Sequence, residues 1–446
     1  MPSYAFWPLS VTIVAVPIFG LTLDTVGLFF LVFCLQSSIF LSLAIRNFVN
    51  LQAIFQLFNL TFLGLIPWLH YTEMAVMLRN TPLEPDLYIR TTLVLIVANL
   101  ITYSAYLFAT ARGHHSANQE APLLEGGAFT LIALSLSGLM LTLALNNFDF
   151  VSVLIRGQVA AAREDIITSS ALMLVLDKVG RLLPAFCFFY AITELRGWRG
   201  VKILLGTILL LGAAPTGVAR YMVAYIYIPL LLIAIPKLRS ASLFIGLITA
   251  SLLIIFPFLN QFRYFYGWGS IVFLPDPDFF YQIHFDAYEN FGSAIETKFV
   301  SGGRQLLGVL LFFVPRSIWA DKPIGSGHQL ALDSGYFHSN ISMPFLAEGY
   351  VNFGFFGVGI FSLFIGLIMA KLDTHFSNSR GMNRVRYKTV LFFYLNGALF
   401  FTLRGDLLSS GSYLLSGLIV YIVVGKFVGL ANLFSNQVSS ANHRAR

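Results

Sequence analysis

Apolar runs of about 20 residues recur along this chain from its first residues almost to its last. Of its 446 residues, 57% are hydrophobic and only 11% are charged, so a soluble domain of this size would leave too much apolar surface in water. In lipid, a helical bundle satisfies its own backbone polar groups. The sequence therefore predicts an all-α fold, a polytopic integral membrane helical bundle.

Hydropathy predicts about twelve transmembrane helices within a single membrane domain, residues 1–446. The longest segment outside the bilayer is 260–352, where the apolar stretch Arg304–Pro315 is too short to span and is expected to form a re-entrant or interfacial helix. The first run lacks a basic n-region and a clear cleavage site, so we expect a retained helix. The predicted spans are 5–23, 25–45, 51–68, 91–110, 127–147, 174–194, 201–214, 219–236, 241–259, 353–371, 388–403 and 412–432.

The distribution of Lys and Arg predicts the orientation of these spans. A cytoplasmic amino terminus places 15 of the 28 basic residues and only four of the 21 acids inside. The loop from Lys371 to Lys388, which is rich in arginine, would violate the positive-inside rule if it faced outward. We therefore expect both termini in the cytoplasm and the segment 260–352 on the outer face.

Several classes of function are not indicated by the sequence. The net charge of +7 is explained by the topology and by anionic lipid, so we predict no nucleic-acid partner. Cys34 and Cys187 lie in apolar runs and indicate no disulfide framework. No P-loop or dinucleotide fingerprint occurs, and we expect no cofactor. Asp276 and Asp278 form a D-x-D pair, but no further ligands are spaced with them and we predict no metal site.

Polar residues from distant parts of the chain fall on the predicted outer face. Guanidinium groups keep their charge and bind phosphate oxygens in pairs, and snorkelling at the interface accounts for only one or two of these cations. Together they indicate a ligand with a phosphate or diphosphate head group. The cations are Arg156, Arg220, Arg263, Arg316, Lys322 and Arg404.

Other charged residues have simpler explanations. Asp177 and Arg181 are spaced i, i+4 near a helix start, which favours an intrahelical ion pair over a site. His284 and His328 lie in the outer segment beside acids and arginines. For these two histidines, a hydrogen-bonded loop position and a catalytic role both stay open.

Six short motifs between residues 150 and 410 resemble those of the Wzy-type O-antigen and oligosaccharide repeat-unit polymerases, which are membrane glycosyltransferases. The most specific part is the VPRSIW…KP element followed by AEGYVNFG. The amino-terminal third resembles the family only as hydrophobic spans. The motifs are LIRGQ (Leu154–Gln158), PTGVARYM (Pro215–Met222), HFDAYENF (His284–Phe291), LLFFVPRSIWADKPIGSG (Leu310–Gly327), SMPFLAEGYVNFGFFG (Ser342–Gly357) and TLRGD (Thr402–Asp406).

The resemblance implies an enzyme of the bacterial inner membrane whose active site faces the periplasm. Such an enzyme transfers a growing glycan from undecaprenyl diphosphate to the non-reducing end of a new lipid-linked repeat unit. Its partners would be the undecaprenyl diphosphate-linked oligosaccharide donor and acceptor, membrane lipid and a Wzz-type chain-length co-polymerase. Two alternatives stay open: an O-antigen ligase or another transferase using the same carrier, and a flippase for lipid-linked oligosaccharides.

Roles for individual residues follow from these two lines of reasoning. We assign Arg316, Arg220 and Arg404 to diphosphate binding, with Arg156, Arg263 and Lys322 as further candidates. A carboxylate or histidine must accept the proton of the acceptor hydroxyl. The candidates for this general base are Asp406, Glu348 and Asp286 in that order, together with His328.

Overall fold

The chain is a helical membrane protein in the computed structural model, which describes residues 7–46, 48–112, 127–157, 171–264, 277–377 and 385–444. The first ten helices described are α1 (Trp7–Ile18), α2 (Thr25–Ala44), α3 (Leu51–Thr72), α4 (Pro85–Ala111), α5 (Ala128–Leu145), α6 (Phe150–Leu154), α7 (Ala171–Glu194), α8 (Arg199–Ala213), α9 (Arg220–Ala234) and α10 (Ala241–Asn260). They are followed by α11 (Ala287–Glu296), α12 (Arg304–Leu310), α13 (Ser326–Asp333), α14 (Phe345–Ser377), α15 (Tyr387–Arg404) and α16 (Leu407–Arg444).

The predicted all-α class is confirmed, since no strand occurs in the described ranges. Within them, seven helices are long and apolar enough to cross a membrane: α2, α3, α4, α5, α10, α14 and the Leu407–Gly429 part of α16. The other predicted spans also fall on helices, but α1, α8 and α9 have only 12, 15 and 15 residues. A span needs about 20 residues, so the count of twelve stays a prediction.

Local sequence determines where several helices begin and bend. α2 starts after Asp24, whose carboxylate accepts the Gly27 N–H at 2.8 Å, and α3 starts after Asn50, whose side chain accepts the Ala53 N–H. α14 is kinked at Phe353 and Gly354. Gly354 has φ 63° and ψ −153°, a conformation open almost only to glycine.

Close helix contacts hold the bundle together. α14 packs along α4, α5 along α7, and α9 along α15. The contact between α9 and α15 depends on Gly397, because a Cβ atom there would lie 2.4 Å from the Ala224 carbonyl oxygen. This close approach brings together the start of α9 and the end of α15.

The predicted outer segment 260–352 is built from short elements. 3₁₀ turns at Pro277–Tyr281 and Ile283–Phe285 come first, and helices α11, α12 and α13 follow them. The expected short helix is present as α12, which has seven residues. Its position relative to the membrane stays a prediction, as does the orientation of the whole bundle.

Candidate functional site

A cavity of about 1490 Å³ lies between α9, α10, α15 and α16. Residues of the Ile283–Phe285 turn and of the segment from Phe312 to Arg316 also line it. Drug-sized ligands occupy pockets of about 300–1,000 Å³. The cavity therefore has room for a larger molecule.

Five of the six predicted cations line this cavity, and we call them the cationic rim. They come from distant parts of the sequence, as expected, and Asp406 is the single Asp or Glu that accompanies them among the described lining residues. The side chain of Arg263 lies outside the described part of the chain. The cationic rim consists of Arg156, Arg220, Arg316, Lys322 and Arg404.

The first two arginines of the rim are brought together by a backbone contact. The Arg156 N–H donates to the Thr216 carbonyl at 2.9 Å, and the Thr216 hydroxyl donates to the Leu154 carbonyl at 2.7 Å. These bonds fix the loop that precedes α9, whose first residue is Arg220. Arg156 and Arg220 therefore lie at the same end of the cavity.

Arg220 contacts a histidine that also lines the cavity. Its Nη2 atom lies 2.7 Å from His284 Nε2 and 3.1 Å from His284 Nδ1. His284 Nε2 is also 3.2 Å from Asn260 Oδ1, and the guanidinium lies 5.7 Å from the centre of the Phe279 ring. The 3₁₀ turn thus holds the imidazole against the start of α9.

Arg404 binds the same turn from the end of α15. Its Nε donates to the His284 carbonyl at 2.7 Å, and its Nη2 donates to the Ile283 carbonyl and to Asp286 Oδ1, both at 3.0 Å. The Nη1 atom has no hydrogen-bond partner among the described residues. Arg404 therefore both organises the turn and contributes to the cationic rim.

Asp286 is a buried partner of Arg404 and does not line the cavity. Its Oδ1 accepts the Ser342 hydroxyl at 2.6 Å, and its Oδ2 accepts the Ser342 N–H and the Asn290 amide, both at 2.9 Å. Both oxygens are thus fully engaged within the protein. This environment is typical of a residue that positions others, not of one that takes a proton from a substrate.

Arg316 and Lys322 lie on one loop and support each other. Arg316 Nη1 donates to the Lys322 carbonyl at 2.8 Å. Lys322 Nζ donates to the carbonyls of Phe312 and Val314. Burial, together with the charge of Arg316, lowers the pKa of Lys322 below its usual value. Lys322 therefore shapes the loop from which the exposed Arg316 projects.

Asp406 and His328 are the two proposed proton acceptors that line the cavity. Asp406 precedes α16, and its Oδ1 accepts the Ser409 N–H at 3.0 Å. Burial raises the pKa of the Asp406 carboxyl, while the Ser409 hydrogen bond and the nearby His328 oppose the rise. A carboxylate with a raised pKa is a stronger base than an exposed aspartate.

Glu348 lies behind the cavity wall with 1% of its surface exposed. Its Oε2 accepts the Ser326 hydroxyl and its Oε1 accepts the Leu407 N–H, both at 2.7 Å. The carboxylate thus joins the starts of α13 and α16. It supports His328 and Asp406 from behind and does not reach the cavity itself.

The remainder of the cavity is mostly apolar, with a few polar residues such as Ser251 and Asn396. Its wall follows α9 from Arg220 to Leu231, which corresponds to a rise of about 16 Å. Ile228, Leu231, Leu252 and Phe400 contribute apolar side chains along this length. The cavity therefore has a cationic end and an apolar body, which matches an amphipathic anion.

Sequence reasoning left several lining residues without a role. His338 and the aromatic residues Tyr221, Phe401 and Tyr413 are of this kind. Tyr221 directly follows Arg220 in the PTGVARYM motif, and this position was the sequence signal that it lies at the site. The others are brought to the site by packing between segments that are far apart in sequence.

In the described ranges, no group of three His, Cys, Asp or Glu side chains is arranged to hold a metal ion. Asp276 of the D-x-D pair lies outside the described residues. No protein-family model, curated protein or solved structure matches this chain.

Proposed function

We propose that this protein is a membrane glycosyltransferase that polymerises lipid-linked oligosaccharide repeat units. The single observation that carries the proposal is the cavity with its cationic rim and apolar body. A polyprenyl diphosphate carrier has two complementary parts, an anionic diphosphate head for the rim and an apolar prenyl tail for the body. The motif resemblance to Wzy-type polymerases leads to the same substrate.

The cationic rim supports the diphosphate part of the proposal. Among the described lining residues, five Lys and Arg side chains accompany one carboxylate. Positive charge is in excess at this end of the cavity even when the Asp286 partner of Arg404 is included. Guanidinium groups donate paired hydrogen bonds to phosphate oxygens. They would stabilise the negative charge that develops on the departing diphosphate.

The apolar body supports the lipid part. A hydrophobic channel of about 16 Å along α9 accommodates the first part of a polyprenyl chain, and the surrounding helices are those predicted to lie in the bilayer. A soluble nucleotide sugar has no apolar part that would use this surface. We therefore favour a lipid-linked donor.

The proposed step needs no cofactor. The bond between the anomeric carbon of the donor glycan and its diphosphate oxygen breaks, and the diphosphate leaves with the bonding electrons. The anomeric carbon bonds to the acceptor hydroxyl oxygen, whose proton passes to Asp406. His328 lies beside Asp406 and is placed to hold the acceptor or to receive that proton in turn.

The location and partners of the enzyme follow from the same proposal. We place it in the bacterial inner membrane with both termini in the cytoplasm and the cavity at the periplasmic face. The donor and acceptor are undecaprenyl diphosphate-linked oligosaccharides. A Wzz-type co-polymerase is a proposed protein partner.

Reconstitution with a synthetic undecaprenyl diphosphate-linked repeat unit, without nucleotide sugar, tests the proposal. Wild-type protein should yield a ladder spaced by one repeat, and Arg316→Ala should lose it. Arg304→Ala is the matched control, because Arg304 is an exposed arginine of the same segment that donates to the Asp321 carbonyl and does not line the cavity.

The same experiment separates the alternatives. Transfer of glycan only when lipid A core is added would identify an O-antigen ligase. Movement of the labelled lipid across proteoliposomes without any new glycosidic bond would identify a flippase. Either result would contradict the polymerase proposal.

A further inference from the structure

A buried group of charged side chains on α7 lies directly behind the cavity wall. Asp177 and Lys178 are only 4% and 2% exposed. Lys178 Nζ donates to Asp177 Oδ2 at 2.6 Å, and Arg181 Nε donates to Asp177 Oδ1 at 3.2 Å. The i, i+4 ion pair expected from the sequence is therefore present. Among the described residues of this group, one carboxylate faces two cations.

Lys178 also contacts the aromatic part of the cavity wall. Its ammonium lies 5.5 Å from the centre of the Tyr221 ring and 5.0 Å from that of Tyr413. These two rings are nearly parallel, with centres 5.0 Å apart. Tyr221 also stacks on Phe401 at 4.5 Å. We call these three rings, which come from α16, α9 and α15, the aromatic plate.

The aromatic plate is continuous with the cationic rim. Tyr221 follows Arg220 directly, and Phe401 lies about one helical turn before Arg404. The plate therefore packs beside the backbone that carries both arginines. A small space of about 20 Å³ between Arg156 and the α7 group places a third rim residue beside the same charges.

An ion pair that only supported α7 would not need to be buried beside the rings of Tyr221 and Tyr413. Burying an ammonium group is costly even when it is paired, and an i, i+4 pair stabilises a helix equally well at its surface. Exposure to water would weaken both this ion pair and the cation–π contact with the plate. Lys178 is thus held in its buried position by Asp177 and also by the rings.

We infer that Lys178 is a positioning residue for the anion-binding end of the cavity. Its ammonium holds the aromatic plate in place, and the plate supports the backbone from which Arg220 and Arg404 project. The inference rests on the proposed function for the diphosphate nature of the ligand. Lys178 itself does not touch the ligand.

Binding of farnesyl diphosphate to the purified full-length protein tests this role. Lys178→Met should weaken binding about tenfold, and Lys178→Arg should restore most of the affinity because it keeps the cation. Lys202→Met is the matched control. Lys202 is a partly buried lysine on α8 that donates to the Leu195 carbonyl at 2.9 Å and does not line the cavity.

A second pair of variants distinguishes positioning from folding. Tyr221→Phe keeps the ring and should lose less affinity than Tyr221→Leu, which should match Lys178→Met. In the polymerisation assay, Lys178→Met should raise KM about tenfold with kcat little changed. A lowered thermal midpoint with normal binding and normal KM in the folded protein would reduce Lys178 to a structural residue and overturn the inference.

The outcomes also separate this inference from the proposed function. If wild type binds farnesyl diphosphate but forms no polymer, the polymerase proposal fails while the role of Lys178 is still decided by the binding data. If Lys178→Met binds as tightly as wild type, the inference is wrong even if polymer forms. If wild type does not bind the probe, both are contradicted.

Discussion

Asp406 and Glu348 both accept backbone N–H groups at the start of α16, but only Asp406 lines the cavity. Burial alone does not make a carboxylate a catalytic base, because the base must also reach the substrate. Asp286 is likewise held by Arg404, Ser342 and Asn290 within the protein. At the scale of single residues, access to the cavity selects Asp406 and His328 from the four candidates.

Replacing the proposed base should abolish most activity. Asp406→Asn removes the proton acceptor with little change in shape, and we expect the rate of polymerisation to fall by about 10²–10⁴-fold. Initial rates with a defined lipid-linked repeat would measure it. Asp321→Asn, at an exposed position of the loop between α12 and α13, is the control. Near-normal turnover by Asp406→Asn would assign the base elsewhere.

The pH dependence of the reaction should reflect the raised pKa of Asp406. The base must be deprotonated, so activity is lost as the pH falls through that pKa. An exposed aspartate titrates near about 3.9, and the acid limb of kcat/KM should therefore lie clearly above that value. An acid limb at or below it would contradict the assignment.

Loss of the Asp286 carboxylate should destabilise the protein and disorganise the Ile283–Phe285 turn. Asp286 has 1% of its surface exposed and is paired with Arg404. Breaking a buried pair typically costs about 3–5 kcal/mol, so Asp286→Ala should lower the thermal midpoint markedly. Asp278→Ala, in the preceding turn, is the control. Equal midpoints for the two variants would show that the pair contributes little.

The site was only partly predictable at this scale. The cations could be found because a membrane sequence has few charges, and arginines in short polar motifs stand out against it. The supporting roles of Asp286 and Glu348 could not be found, since their partners Ser342 and Ser326 lie 56 and 22 residues away. Such contacts are determined by tertiary packing.

At the scale of helices, each apolar run that hydropathy predicted as a span falls on a helix. The irregular stretches within these helices were not predicted. α3 contains a π-helical stretch at Asn59–Leu65, and α10 contains one at Ser251–Ile255. No composition signal marks either stretch, because apolar residues continue through both. The kink of α14 does have a signal, the glycine-rich sequence around Gly354.

Gly354 should be needed for the kink of α14. Its backbone conformation is strained by about 1–3 kcal/mol for any residue with a Cβ atom, so Gly354→Ala should lower the thermal midpoint. Gly359→Ala is the matched control in the same helix, because a Cβ atom at position 359 would meet no atom within 4 Å. Equal midpoints for the two variants would contradict the structural role of the kink.

At the scale of the molecule, the central prediction is that the cationic rim faces outward. Asp333→Cys and Lys237→Cys place thiols at exposed positions on the predicted outer and inner sides. The native cysteines are free and buried, so they should react little. We expect an impermeant maleimide to label Asp333→Cys in intact spheroplasts and Lys237→Cys only after permeabilisation. The reverse labelling pattern would show that the protein has the opposite orientation in the membrane.

The predictions about the orientation of the bundle and about the ligand both concern the cavity. Its cationic rim was largely predictable from sequence, whereas its apolar body was not, because one wall of a bundle looks like any other in a chain that is 57% hydrophobic. Only the packing of α9, α10, α15 and α16 separates cavity residues from lipid-facing ones.

Photo-crosslinking with a prenyl diphosphate that carries a diazirine on its lipid chain tests the central claim most directly. The account predicts adducts on cavity residues such as Ile228, Leu252 and Phe400, which excess inorganic pyrophosphate and the Arg220→Ala variant should both reduce. Adducts only on lipid-facing surfaces, unaffected by either, would show that the cavity does not bind a diphosphate-linked lipid.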